Sequence, residues 1–109
     1  MTRDEILNLP EDELFKLIYK NFGVTLSGLE DTSYMSSAWQ IVEMLAKDGW
    51  DINMRRGSDI IAVDAYKFDD GPGTIFAQYG SRPNFFSTVE GICKTALIAL
   101  QTTGKLQNS

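Results

Sequence analysis

Two carboxylates and an arginine on neighbouring predicted strands are the residues of this chain best placed for chemistry. Asp64 interrupts the apolar run Ile60–Tyr66, and the predicted strand register sets it opposite Asp51 and Gln78. Facing carboxylates raise one carboxyl's pKa or attract a cation, so a carboxylate-dependent hydrolase is one hypothesis. No nucleophile or metal-ligand cluster accompanies the pair, and Arg55 on the same face offsets its charge. A polar sheet edge open to water therefore remains the simpler interpretation.

A second hypothesis is a site for a small anionic, nucleotide-like ligand. Arginine presents a planar fork of donors that matches phosphate or carboxylate groups, and aromatic rings can stack on a base. The candidate ligand-binding residues are two arginines, two aromatic residues and two polar residues: Arg55, Arg82, Tyr66, Phe76, Asp64 and Gln78. Ordinary surface arginines explain the same pattern, so both interpretations stay open.

The residue types that the chain lacks exclude several reaction classes. The 109 residues include no histidine and one cysteine, Cys93. This composition excludes Ser-His-Asp and Cys-His catalysis and His-ligated zinc. The run Asp69–Gly73 matches neither the calcium-loop nor the phosphate-loop spacing and predicts a hairpin loop. We therefore expect no catalytic residues, no metal and no cofactor.

The charge balance disfavours nucleic acid as a partner. The net charge is −5, and residues 1–31 hold seven acids against three bases, whereas duplex-binding proteins present a basic face. The chain has no apolar run of about 18 residues that could span a membrane. No apolar signal region follows the charged start, so we expect a cytoplasmic protein.

Apolar periodicity and capping residues predict helices in the first part of the chain. Thr2-x-x-Glu5 predicts a capping box before a short helix. Pro10 suits the first turn of the next helix, and Gly23 suits its end. A further helix is predicted over residues 33–48, with its core face on Met35, Ala38, Val42 and Leu45.

The predicted last helix covers residues 88–103, with Ser87-x-x-Glu90 as its capping box. Its apolar residues cover much of the circumference, which is typical of a deeply buried helix. Residues 105–109 are expected to form a frayed tail. Trp39 and Trp50 lie at core-facing positions, and packing is the predicted role of both.

Three strands are predicted between these helices, over residues 50–56, 60–68 and 74–79. A two-residue Gly57-Ser58 turn would pair Arg56 with Asp59, and a five-residue loop would pair Phe68 with Thr74. With this register one sheet face is apolar and suits the core. The other face is mixed, which is typical of a partly covered surface or a binding surface.

Three stretches of the chain resemble the phage ABA sandwich family of small bacteriophage and prophage proteins. They are Thr2-Arg3-Asp4-Glu5-Ile6-Leu7, then Ser33-Tyr34-Met35-Ser36-Ser37-Ala38-Trp39-Gln40-Ile41-Val42-Glu43-Met44-Leu45, then Val89-Glu90-Gly91-Ile92-Cys93-Lys94-Thr95-Ala96-Leu97-Ile98-Ala99. Where the family pattern has Tyr-Ser, this sequence has Tyr34-Met35-Ser36. The resemblance implies a sheet between helices and a phage or prophage origin in a bacterial host cell, and it implies no catalytic residues.

The sequence as a whole predicts one α+β domain over residues 1–109. Its expected form is a three-stranded antiparallel sheet sandwiched between helices, in the order α-α-β-β-β-α. The expected function is that of a non-catalytic phage accessory protein that binds a host or phage protein and forms homo-oligomers, most simply dimers. Binding of the anionic ligand and, less favoured, the hydrolase are the alternatives.

Overall fold

A computed structural model describes residues 1–26, 31–56, 61–67, 73–79 and 85–107. The elements along this part of the chain are α1 (Arg3–Leu7), α2 (Glu11–Phe22), α3 (Asp31–Lys47), β1 (Trp50–Arg56), β2 (Ile61–Lys67), β3 (Gly73–Tyr79) and α4 (Phe85–Thr102). The predicted α+β class is confirmed. The order predicted for the whole chain was one helix short, because all three helices predicted individually before the sheet are present. Pro10, with φ of −67° and no N–H, stands before Glu11 and keeps α1 apart from α2.

The ends of the first two helices follow the predicted local chemistry. The backbone N–H of Glu5 donates to Thr2 Oγ1 at 3.2 Å, and the N–H of Thr2 donates to Glu5 Oε1 at 3.0 Å, which completes the capping box. Gly23 ends α2 in the left-handed region at φ 69°, where a side chain would be strained. These contacts are local, which is why the sequence alone predicts them.

The strands are antiparallel in the order β1-β2-β3, and the predicted register is wrong by two residues in both pairs. Arg56 pairs with Ile61, so four residues rather than two separate the first pair of strands. Lys67 pairs with Gly73 in the second pair. A shift of two residues keeps every residue on its predicted face, because strand side chains alternate with a period of two.

The helices form layers on the apolar face of the sheet. Helix α3 packs on β1, α4 packs on β2 and β3, and α1 and α2 pack against α4. The expected sandwich, with helices on both sheet faces, is therefore wrong for the described elements. Helix α4 lies between the sheet and the layer formed by α1 and α2. This position explains why residues 88–99 are buried apart from the half-buried Glu90.

The start of α4 and the residues after its end differ from the prediction. Helix α4 begins at Phe85, so Ser87 lies within the helix and does not cap it. The tail is held as far as Gln107, whose N–H donates to Asn21 Oδ1 at 2.8 Å and whose carbonyl accepts from Asn21 Nδ2 at 2.9 Å. Leu106 packs against the core cluster. The predicted frayed tail is thus wrong for residues 105–107, because tertiary contacts outside the local pattern hold them.

Candidate functional site

The sheet face turned away from the helices carries most of the predicted site residues. Its cross-strand rows are Arg55–Ala62–Gln78, Asn53–Asp64–Phe76 and Asp51–Tyr66–Thr74. We call this set of positions the outer sheet face. Five of the six candidate ligand-binding residues thus occupy adjacent rows, whereas Arg82 lies outside the described residues.

The outer sheet face does not hold the expected carboxylate pair. Asp64 lies opposite Asn53 and Phe76, and Asp51 lies opposite Tyr66. The two carboxylates are diagonal neighbours, about 7–8 Å apart at Cα for this arrangement, instead of facing each other. Asp51 and Asn53 are exposed, and Asp64 and Tyr66 are half-buried. The direct Asp51–Asp64 contact on which the hydrolase hypothesis depended is therefore wrong.

Helix α3 exposes Trp39, so the prediction that this side chain packs in the core is wrong. Trp39 is 48% exposed, whereas Trp50 is buried as expected. Trp39 lines an open depression of about 400 Å³ with four other residues of the same helix: Met35, Ser36, Gln40 and Glu43. We call these five residues the α3 patch.

Helical geometry explains why Trp39 lies outside the core. The buried residues of α3 are Ala38, Ile41, Val42 and Leu45, which follow the spacing of one inward stripe. Trp39 follows Ala38 directly, so it is rotated by about 100° from it and leaves that stripe. Met35 also packs against the core cluster, whereas the predicted face omitted the fully buried Ile41. Including Ile41 would have moved the centre of the stripe away from Trp39.

A second concave surface lies on α2. A cavity of about 440 Å³ is lined by Asp12, Phe15, Lys16, Tyr19, Thr25 and Leu26. Tyr19 is 61% exposed, and the Phe15 ring packs against Tyr34 of α3 with centroids 6.0 Å apart. The cavity is of the size that small-molecule sites have.

Helix α4 buries two chemically reactive side chains, those of Lys94 and Cys93, and their contacts suit structural roles. Lys94, with a side chain 4% exposed, donates to Leu7 O and to Glu90 Oε1, both at 2.7 Å. Burial, followed by the nearby Glu90 charge, raises the pKa of the Cys93 thiol well above its ordinary value. A thiol that stays protonated is a poor nucleophile. The Lys94 ammonium links α1 to α4 through its two hydrogen bonds. Neither group opens onto the surfaces described above.

The fold and its surfaces define a small α+β protein with a half-exposed tryptophan on α3 and a mixed sheet face. Within the described ranges, no group of three or more His, Cys, Asp or Glu residues could hold a metal ion. No helix in the same ranges is both long and apolar enough to cross a membrane. No family model, curated protein or solved structure matches the chain. The resemblance to the phage ABA sandwich family stays a prediction.

Proposed function

We propose that this protein is a non-catalytic binding module that docks a protein partner on the α3 patch. The half-exposed indole of Trp39 carries the proposal. Tryptophan is enriched among the residues that dominate binding energy at protein interfaces, because it buries a large rigid surface at low entropic cost. Met35 adds an adaptable apolar neighbour one helical turn away.

The surroundings of Trp39 also suit an interface. Ser36, Gln40 and Glu43 are exposed around the two apolar side chains. A polar rim about an apolar centre is the usual arrangement of a protein interface, since the rim excludes water from the central contact. One side of α3 is already used for packing on α4 and β1, and Trp39 lies outside that packing.

The experiment compares three forms of the protein as bait in a bacterial lysate: wild type, Trp39→Ala and Met44→Ala. Met44 is the matched control because it is 42% exposed on the same helix but does not line the depression. A true partner is retained by wild type and Met44→Ala and is lost by Trp39→Ala. Its dissociation constant with Trp39→Ala should rise about 30-fold, the effect of a 2 kcal/mol hot spot.

Equal retention of every captured protein by Trp39→Ala would overturn the proposal. Thermal denaturation of each variant by circular dichroism checks that the fold is intact. Light scattering of the pure protein tests the expected homodimer separately, and the α3 patch would be a self-contact if Trp39→Ala converted a dimer to a monomer.

A second candidate is the anionic-ligand site on the outer sheet face. The register supports it, because Arg55 and Gln78 flank Ala62 in one row and Asp64 and Phe76 share the next. ATP should then raise the melting temperature of wild type and of Arg3→Ala but leave that of Arg55→Ala unchanged. An equal response of all three proteins, or none in wild type, would refute this candidate.

A further inference from the structure

Strand β1 lies at an edge of the sheet. Within the described ranges, β2 pairs with one edge of β1 and no strand pairs with the other. An antiparallel pair bonds each strand through alternate residues, so the other residues of β1 direct their N–H and C=O groups away from β2. Such an edge is a template for a further strand unless proline, a bulge or mismatched charges block it. Strand β1 has no proline, and its register with β2 runs without a bulge from Trp50 to Arg56.

The apolar face of the sheet is less buried at this edge. Met54 and Val63 occupy one cross-strand row on the helix side, where Val63 is fully buried and Met54 is 39% exposed. Ile52 lies two residues earlier on the same face and is half-buried. A further strand beside β1 would therefore cover apolar surface as well as pair with the backbone.

The symmetry of an antiparallel pair restricts how two copies of β1 can meet. Residues directly opposite each other point to the same face of the sheet. A two-fold axis between two copies of β1 must therefore pass through a residue and not between two residues. An axis through Asn53 pairs all seven residues of the strand, whereas an axis through Ile52 or Met54 pairs only five.

The pairs formed about Asn53 are favourable on both faces. On the outer sheet face, Asp51 of each copy lies opposite Arg55 of the other, so two pairs of opposite charge form. Asn53 lies opposite its own copy, and an amide both donates and accepts hydrogen bonds. On the helix side, Ile52 lies opposite Met54. The charges of β1 therefore match a second copy of β1 in this register.

The net charge of the chain does not lie on the part that contains β1. Residues 1–48 hold nine acids and four bases, a net charge of −5. Residues 49–109 hold six acids and six bases and are neutral. Two copies that meet through β1 thus bring together the neutral parts of the chain.

We propose that two copies of this chain form a dimer through β1, with the two-fold axis at Asn53. The two three-stranded sheets then join into one sheet of six strands, and the same edge is used by both copies. This inference assigns a surface to the expected homodimer. It does not rest on the α3 patch, so it can fail while the proposed function holds.

The first test compares cysteine cross-linking of Asn53→Cys and Asp51→Cys, since both positions are exposed on the same sheet face. In the dimer, the two residues at position 53 face each other with Cα atoms about 4.5–5.5 Å apart, which suits a disulfide. The two residues at position 51 are about 14 Å apart along the strands, which is too far. After mild oxidation, Asn53→Cys should become a covalent dimer and Asp51→Cys should stay monomeric. The native Cys93 is buried and does not compete.

The second test measures the dimer dissociation constant of charge variants by sedimentation velocity. Asp51→Arg and Arg55→Asp each replace two attractive pairs by two repulsive ones, so the constant should rise about 30-fold. The double variant restores both pairs with the charges exchanged and should return to the wild-type value. Asp12→Arg, an exposed residue of α2 with the same charge change as Asp51→Arg, is the matched control and should have no effect. Circular dichroism checks that each variant is folded.

Four results would overturn the inference. They are a wild type that stays monomeric at the highest concentration measured, equal cross-linking of the two cysteine variants, a dimer that neither reversal weakens, and reversals that the double variant does not rescue. A dimer that only Trp39→Ala dissociates would place the self-contact on the α3 patch instead.

Discussion

Replacing Lys94 with methionine should weaken the attachment of α1 to the rest of the fold. The ammonium is almost fully buried and donates to Leu7 O at the end of α1 and to Glu90 Oε1 on α4, both at 2.7 Å. Methionine keeps most of the volume and the apolar stem, so the expected loss is that of the charged contacts. Leu7 and its helix pack on α4, and this hydrogen bond is a direct link between the two.

The size of the expected stability loss follows from the surroundings of the two hydrogen-bond acceptors, Leu7 O and Glu90 Oε1. A hydrogen bond to a charged group contributes about 1.5–3 kcal/mol. A fully buried ion pair that loses one partner costs about 3–5 kcal/mol. The side chain of Glu90 is 40% exposed, so water solvates much of the carboxylate once Lys94 is gone. We therefore expect a loss near the lower figure, about 2 kcal/mol, or about 8 °C in melting temperature for a domain of this size.

The assay is urea denaturation followed by circular dichroism, with Lys16→Met as the matched control. Lys16 forms an ion pair with Glu13 at 3.9 Å, and both side chains are mainly exposed. An exposed pair of this kind contributes about 0–0.5 kcal/mol. If Lys94→Met and Lys16→Met had the same stability as wild type, the inferred link between α1 and α4 would be wrong. Greater stability of Lys94→Met would show that desolvation of the ammonium outweighs its two contacts.

Three further predictions concern the ends of the chain and the thiol. Glu5→Ala removes the carboxylate from the capping box, and urea denaturation should show its stability difference from wild type shrinking as the pH falls; a constant difference would contradict the mechanism. The hydrogen bonds from Thr2 hold the pKa of Glu5 below its ordinary 4.5, so this stabilisation is present above that pH and is lost as the pH falls through the lowered value. Asn21→Ala should free the segment around Gln107, seen as faster amide exchange there, while unchanged exchange would show that Leu106 alone holds it. Cys93 should react with a thiol reagent only after denaturation, since it is buried with a raised pKa, and rapid reaction in native buffer would show that α4 opens.

The sheet shows which structural features the alternation of residues predicts and which it leaves undecided. The alternation along β1 predicted its bounds, Trp50–Arg56, and the assignment of residues to faces. The register was missed by two residues because face alternation is unchanged by a shift of two, and turn chemistry alone had to decide it. The corrected register removes the carboxylate contact of the hydrolase hypothesis, because Asp51 pairs with Tyr66 and not with Asp64.

The sequence by itself determined the features that depend on neighbours along the chain. These are the capping box at Thr2, the end of α2 at Gly23, the amphipathic stripes and the strand faces, which follow from backbone geometry within a few residues. Composition determined which chemistries are excluded, because a chain without histidine cannot supply imidazole.

Only the tertiary structure decided which surfaces are left over after packing. Helix α4 lies between the sheet and the layer of α1 and α2, so none of the described helices covers the outer sheet face. The same packing uses one side of α3 and leaves Trp39 half exposed. An apolar residue is buried or exposed according to what packs against it, and those partners are distant in sequence, so local periodicity could not assign Trp39 to a surface.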